Sequence, residues 1–181
     1  MLRMKSLISN QKLFYLLLVV SAFNFTYCSN ETSESDLIIK DNIIYKRGEN
    51  KPFTGTERAK VKDKIIEYDI VDGIKHGKFR LYFSNGNIAV SGQIDNNKNT
   101  GKWQYYYESG SLESGGTFVN DLLDGKWVWY HSSGKLKEEG NYNLGKKIGV
   151  WKSFDEKGEL LIEEDFSLQE TTNKSAETHS K

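Results

Sequence analysis

A chain of 181 residues is the length of a single domain, and its Lys+Arg and Asp+Glu counts balance at 25 each. Zero formal charge excludes a strongly basic nucleic-acid binder, and one cysteine excludes both an internal disulfide and a cluster of thiolate metal ligands. Sixteen glycines, one proline, 13% aromatic residues and a mean hydropathy of −0.62 predict many turns around a Trp/Tyr/Phe core, not a disordered chain.

Residues 1–27 read as a signal peptide. Arg3, Lys5 and Lys12 give a positive start, and Leu13 to Phe23 is an apolar stretch of signal-peptide length, too short to span a bilayer comfortably. Cys28 follows at the place where bacterial lipoproteins carry their lipid, and lipidation explains a lone thiol on an exported chain. Tyr27 stands where a lipoprotein usually has a small residue. Signal-peptidase cleavage after Cys28 is therefore the competing reading, with an uncleaved anchor as the third. The expected location is the bacterial cell envelope, lipid-anchored, or on the competing reading a secreted or periplasmic soluble protein. Without residues 1–27 the chain carries about −3, which argues against anionic phosphate, nucleic acid or headgroup, as the ligand. Residues 28–36 are polar and read as a flexible tether, and residues 168–181 as a disordered tail.

A 24-residue period organises residues 37–167. Gly77, Gly101, Gly125 and Gly149 mark it, followed by Phe79, Trp103, Trp127 and Trp151, then by Tyr82, Tyr106, Tyr130 and Phe154. Further on come the turn glycines Gly86, Gly110, Gly134 and Gly158, an aliphatic residue, and Gly92, Gly116 and Gly140, with Glu164 in the last copy. Ile94, Phe118, Tyr142 and Phe166 close the unit. The copies run over 77–100, 101–124, 125–148 and 149–167, with a degenerate copy over about 53–76. Each reads as a β-hairpin, with Lys102 to Glu108 and Ser111 to Phe118 as strands, Ser109-Gly110 as the turn between them and Asn120-Asp121 as the turn to the next copy. The fold class expected is all-β: an elongated single-layer antiparallel sheet of stacked hairpins, ~40–50 Å long at ~4.8 Å per strand. Ile38, Ile39, Ile43, Ile44 and Tyr45 supply an amino-terminal cap. Ser153 and Asp155, replacing the aromatic or histidine of earlier copies, are expected to keep the other end polar.

The unit G-[KV]-[WF]-x-x-[YF]-x-x-x-G-x-[LI], closed by a glycine and then an aromatic or aliphatic residue, resembles the MORN repeat. It is most similar to the bacterial variant found in exported proteins and in a family often labelled an antitoxin component. The resemblance covers about Lys51 to Ser167. It implies a sheet of stacked hairpins and a role in protein or lipid interaction, and implies no enzymatic activity. More tyrosine and fewer glycines per unit separate this chain from the eukaryotic pattern. An antitoxin would need a cytoplasmic partner, which the export signal contradicts unless its target lies in the envelope.

Residues that recur in every copy are explained by hairpin-to-hairpin packing, which assigns Phe79, Trp103, Trp127, Trp151, Tyr82, Tyr106, Tyr130 and Phe154 to structure. Tyr105, Tyr107, Trp129 and His131 do not recur in the last copy and share a strand face with the tryptophans. A Tyr/Trp cluster on a rigid sheet is a contact surface for protein, peptide or glycan, so these four are the expected binding face, with extra core as the alternative. His76, His131 and His179 lack metal-ligand spacing, Glu138 and Glu163 read as solvated surface charges, and no nucleophile with a neighbouring base is identifiable. The function expected is therefore a non-enzymatic, exported, lipid-anchored repeat protein. It needs no cofactor or metal, and its partner is an unidentified protein of the envelope or the cell exterior. An immunity or antitoxin protein and a glycan-binding module are the alternatives.

Overall fold

The computed structural model describes residues 35–167. The signal segment, Cys28, most of the tether and the tail from residue 168 lie outside the described residues. The elements are all strands: β1 (Leu37–Lys40), β2 (Ile43–Lys46), β3 (Gly55–Val61), β4 (Lys64–Val71), β5 (Ile74–Tyr82), β6 (Ile88–Asp95), β7 (Lys98–Tyr106), β8 (Leu112–Val119), β9 (Leu122–Tyr130), β10 (Leu136–Asn143), β11 (Lys146–Phe154) and β12 (Leu160–Asp165). β1 and β2 form a hairpin of their own. β3 to β12 form one ten-stranded sheet in which each strand pairs antiparallel with its neighbours in the chain.

Two kinds of turn alternate along this sheet. Between copies the turns have two residues, both at positive φ: Asn96 and Asn97, Asn120 and Asp121, Leu144 and Gly145. This is the type I′ geometry, whose twist matches that of the strands it joins. Within a copy the turn is longer. Tyr107 N–H donates to Ser111 O (2.9 Å) and Gly110 N–H to Tyr107 O (2.8 Å), and the same pair of bonds recurs at residues 83–87, 131–135 and 155–159.

The period glycines are not at strand starts, as the repeat boundaries 77, 101, 125 and 149 suggest. They sit inside β5, β7, β9 and β11, which begin three residues earlier. At each one the pairing slips: Gln93 faces Thr100 but Ser91 faces Gln104, leaving Gly92 opposite three residues of β7. Gly101, Gly125 and Gly149 hold φ of 64°, 66° and 61°, where a Cβ is disfavoured, so the bulge explains the period glycine.

The bulge serves the packing. It turns the following tryptophan onto the glycine of the preceding strand. A Cβ placed on Gly92, Gly116 or Gly140 would lie 2.2, 2.3 or 2.1 Å from the indole of Trp103, Trp127 or Trp151 respectively. These strand glycines are absent of side chain because an indole occupies the space. Each indole also donates Nε1–H to the preceding strand: Trp103 to Gln93 O (3.1 Å), Trp127 to Thr117 O (3.0 Å) and Trp151 to Asn141 O (3.2 Å). In the last copy no described strand follows β12, and Glu164 takes the glycine's place.

At the amino-terminal end the β1–β2 hairpin is bonded to the turn between β4 and β5, with Ile44 N–H donating to Gly73 O (2.9 Å), and to the segment before β3, with Phe53 N–H donating to Ile44 O (2.9 Å). Ile44 is buried there, while β3 remains the edge of the ten-stranded sheet. The other end differs from expectation. Ser153 belongs to β11, the penultimate strand, and Asp155 accepts from Lys157 N and Glu159 N (both 2.8 Å) in the turn beyond it. β12 is the edge, and Leu160, Leu161 and Ile162 on it are 47–62% exposed, followed by the exposed Glu163, Glu164 and Asp165.

Because the indole fills the glycine's space, Gly116→Ala must displace either Trp127 or the backbone. It is expected to cost about 1–3 kcal/mol, the range for overpacking a core. Glu164→Ala, at the equivalent register with no indole above it, should change stability by less than ~0.5 kcal/mol. Urea denaturation of the two variants beside the wild type checks the difference.

Candidate functional site: the two faces of the sheet

The face carrying Trp103, Trp127 and Trp151 is closed by its own side chains. These three and Tyr105 are at most 3% exposed. Ring contacts run from Phe79 to Trp103 (5.2 Å between centroids), Trp103 to Tyr105 (6.5 Å), Tyr105 to Trp127 (6.3 Å), Trp127 to Trp129 (5.8 Å) and Trp129 to Trp151 (5.8 Å). Phe118 and Tyr142 stand edge-on between successive indoles: Phe118 is 5.7 and 5.3 Å from Trp103 and Trp127, and Tyr142 is 6.5 and 4.9 Å from Trp127 and Trp151. Such T-shaped pairs set a positive ring edge against a negative face. The recurring tryptophans therefore pack hairpin on hairpin, as their recurrence implied.

Tyr105, Tyr107, Trp129 and His131 are brought together on this face, but not as an open patch. The Tyr105 ring is enclosed between two indoles, so it offers a partner no surface. Trp129 is half-buried between Trp127 and Trp151. The Tyr107 hydroxyl donates to Tyr130 O (2.7 Å), and His131 Nε2 lies 3.0 Å from Phe154 O. These two contacts join equivalent atoms one copy apart, making Tyr107 and His131 ties between neighbouring hairpins. Ser114 lies opposite both Tyr105 and Trp129, is 1% exposed, and has no hydrogen-bond partner for its hydroxyl. A small residue there leaves room for the two large rings.

One charge expected to be solvated is not. Glu138 lies opposite Trp129 on the closed face, half-buried, with Lys147 Nζ 3.4 Å away, and that ammonium sits 3.8 Å over the Trp151 ring. Glu163 is an exposed surface charge, as expected, and pairs with Lys152 (3.2 Å). His76 is on β5, with Nδ1 2.9 Å from Asp95 Oδ1. Among the described residues no three His, Cys, Asp or Glu side chains are grouped to hold a metal ion.

The reverse face is open. A single row of directly paired residues crosses it: Arg58, Glu67, Arg80, Ser91, Gln104, Gly115, Val128, Glu139, Lys152, Glu163. Both ends are ion-paired, through Arg58–Glu67 (3.0 Å) and Arg80–Glu67 (3.1 Å) at one and Lys126–Glu139 (2.8 Å) and Lys152–Glu163 at the other. The middle, Ser91 to Val128, is uncharged. Beside it stand Tyr82, Tyr106, Tyr130 and Phe154, all half-buried. The Tyr82 hydroxyl donates to Glu67 Oε1 (3.3 Å). Sequence reasoning assigned these four to structure alone; the signal that separates them from the tryptophans is their strand parity, three residues after the indole and so on the other face.

Four tyrosines carry a pH signature. Burial, first, and the nearby Glu57 carboxylate push Tyr68 from 10.0 up to about 12, burial raises Tyr105, burial with Glu138 raises Tyr142, and burial with Glu113 raises Tyr107. The unfolded chain releases these protons near 10.0 while the folded chain holds them, so stability is fully present below about pH 10 and falls as pH rises above it. Thermal midpoints measured from pH 8 to 12, with tyrosinate absorbance recorded alongside, should drop together with a cooperative rise in absorbance. For the side chains themselves, Tyr105→Ala is expected to cost ~3–5 kcal/mol, as truncation of a core aromatic does. Tyr107→Phe, which deletes one hydrogen bond, should cost about 1 kcal/mol in the same urea titration.

The comparisons with known proteins agree with this geometry. The family model of the MORN repeat variant matches residues 75–96, 99–120, 123–144 and 147–167. Each match spans one inter-copy strand, one long turn and the strand after it. No curated protein matches the chain significantly. Among solved structures it is similar to the crystal structure of accessory secretory protein 1, 2 and 3 in Streptococcus pneumoniae, at 14% identity and a TM-score of 0.26, over 81% of this chain and 24% of that one. This chain thus spans about a quarter of that protein's length, and the likeness carries no argument. Four successive matches, each in register with a hairpin of the sheet, establish that the chain belongs to the MORN repeat variant family.

Proposed function

We propose that the protein is exported, is anchored to the membrane by a lipid on Cys28, and presents the reverse face of its sheet to a protein partner in the cell envelope or outside the cell, without catalysing a reaction. The observation that carries this reading is the row from Arg58 to Glu163, whose ends are ion-paired and whose centre, Ser91 to Val128, is uncharged and bordered by Tyr106 and Tyr130. A centre depleted of charge, with tyrosines and a charged rim, is the anatomy of a protein-contact surface. Tyrosine gives large contact area at little cost in side-chain entropy. The opposite face supports the same assignment by elimination, since its aromatics are already packed against one another. The basic start and apolar stretch of residues 1–27, Cys28 and the polar residues that follow support the anchor.

One experiment addresses both halves. The full chain, expressed with its own amino terminus in a bacterial host, is labelled with a palmitate analogue and used as bait for envelope proteins. The wild type should label and Cys28→Ala should not; equal labelling refutes the anchor. Tyr106→Ala/Tyr130→Ala should lose a partner that Tyr107→Phe still captures, and equal recovery by both refutes the face.

A further inference from the structure

The two ends of the sheet are related by its own repeat, which makes each the natural continuation of the other. Register identifies the equivalent positions. Trp103 faces Gly116, Trp127 faces Gly140 and Trp151 faces Glu164, while at the amino-terminal end Glu57 faces Tyr68. Gly55 faces Ile70 just as Gly101 faces Phe118 and Gly125 faces Tyr142, which confirms the alignment. Glu57 on β3 thus stands where the inner copies carry tryptophan, and Glu164 on β12 stands where they carry the glycine that receives it.

β3 and β12, the first and last of ten strands, are nine positions apart in an antiparallel sheet and so run in opposite directions. A second copy could therefore add its β3 to the first copy's β12 in the way β11 adds to β10, and the contact would repeat without closing. Continuing the register of β10 and β11, in which Glu139 faces Lys152 and Glu138 faces Ser153, sets Glu163 against the second copy's Arg58 and Ile162 against its Ala59. Both pairs are favourable. The exposed Leu160, Leu161 and Ile162 and the unpaired backbone of β12 add to the attraction. One pair opposes it: Glu57 would be laid over Glu164, two carboxylates in a slot that holds an indole on a bare backbone at three inner junctions. At the junction of β4 and β5 the same positions hold Phe79 and Tyr68, so the register accepts other uncharged pairs. Like charge is what distinguishes the two ends.

We propose that Glu57 and Glu164 are end stops, which prevent the sheet from continuing into a second copy of this chain. The β1–β2 hairpin is bonded to the β4–β5 turn and to Phe53 and pairs with no strand of the sheet, so β3 keeps its outer edge, and this pair of side chains is what opposes continuation there.

The test is sedimentation velocity of the full chain in detergent, with strand content followed by circular dichroism. The wild type should sediment as one species at every concentration. Glu57→Trp/Glu164→Gly, which restores the inner junction, should form elongated assemblies whose size grows with concentration. Glu57→Lys, which replaces repulsion by attraction at an exposed edge, should associate at low salt and dissociate at high salt. Concentration-dependent head-to-tail assembly by the wild type would overturn the proposal. So would a folded Glu57→Lys chain that stays a single species at low salt, whatever the double variant does.

Discussion

An indole lying flat on a glycine of the preceding strand is the contact on which the rest of this sheet depends. A hairpin has one face to bury and nothing of its own to bury it against. Here the bulge at Gly101, Gly125 or Gly149 bends the strand, the bend carries the tryptophan backwards across its neighbour, and the absent side chain at Gly92, Gly116 or Gly140 lets it down onto the backbone. Three residues of the 24-residue unit thus form one device: a glycine to bend, a tryptophan to cover and a glycine to be covered. Losing any of them disables the other two.

That device divides the aromatic residues between two roles. On the covered face, rings from adjacent copies touch in an unbroken series from Phe79 to Trp151, and the three indole N–H groups and the Tyr107 hydroxyl donate to neighbouring backbone carbonyls. On the other face, Tyr106 and Tyr130 stay partly exposed beside a neutral stretch of sheet. A single-layer sheet can in this way have a core without a second layer, since one face is closed by side chains leaning along the sheet and the other stays available.

Much of this is legible in the sequence. The period, the turn dipeptides and the recurrence of Trp and Tyr are one-dimensional signals, and they are enough for the fold class and the family. Three features are not legible, each for a physical reason. Strand alternation places Tyr105 with Trp103 but does not say which face is closed, because aromatics occupy both. Glycine reads as a turn, whereas Gly101 is a bulge within a strand and Gly116 a vacancy under an indole, distinctions that depend on pairing register. The roles of Tyr107 and His131 depend on carbonyls 23 residues away, which no local pattern reveals.

Those ties have a consequence for how the chain reaches its fold. Tyr107 to Tyr130, His131 to Phe154, Asn97 to Lys75 and Asp121 to Asn99 all join a copy to the next one along, and the sheet order follows the chain order throughout. No strand waits for a partner from the far end of the sequence. Loop closures stay short, so their entropic cost is met one hairpin at a time, and contact order is low for an all-β protein. A chain emerging gradually from a ribosome can set each hairpin onto the last as it appears, its newest edge receiving the next.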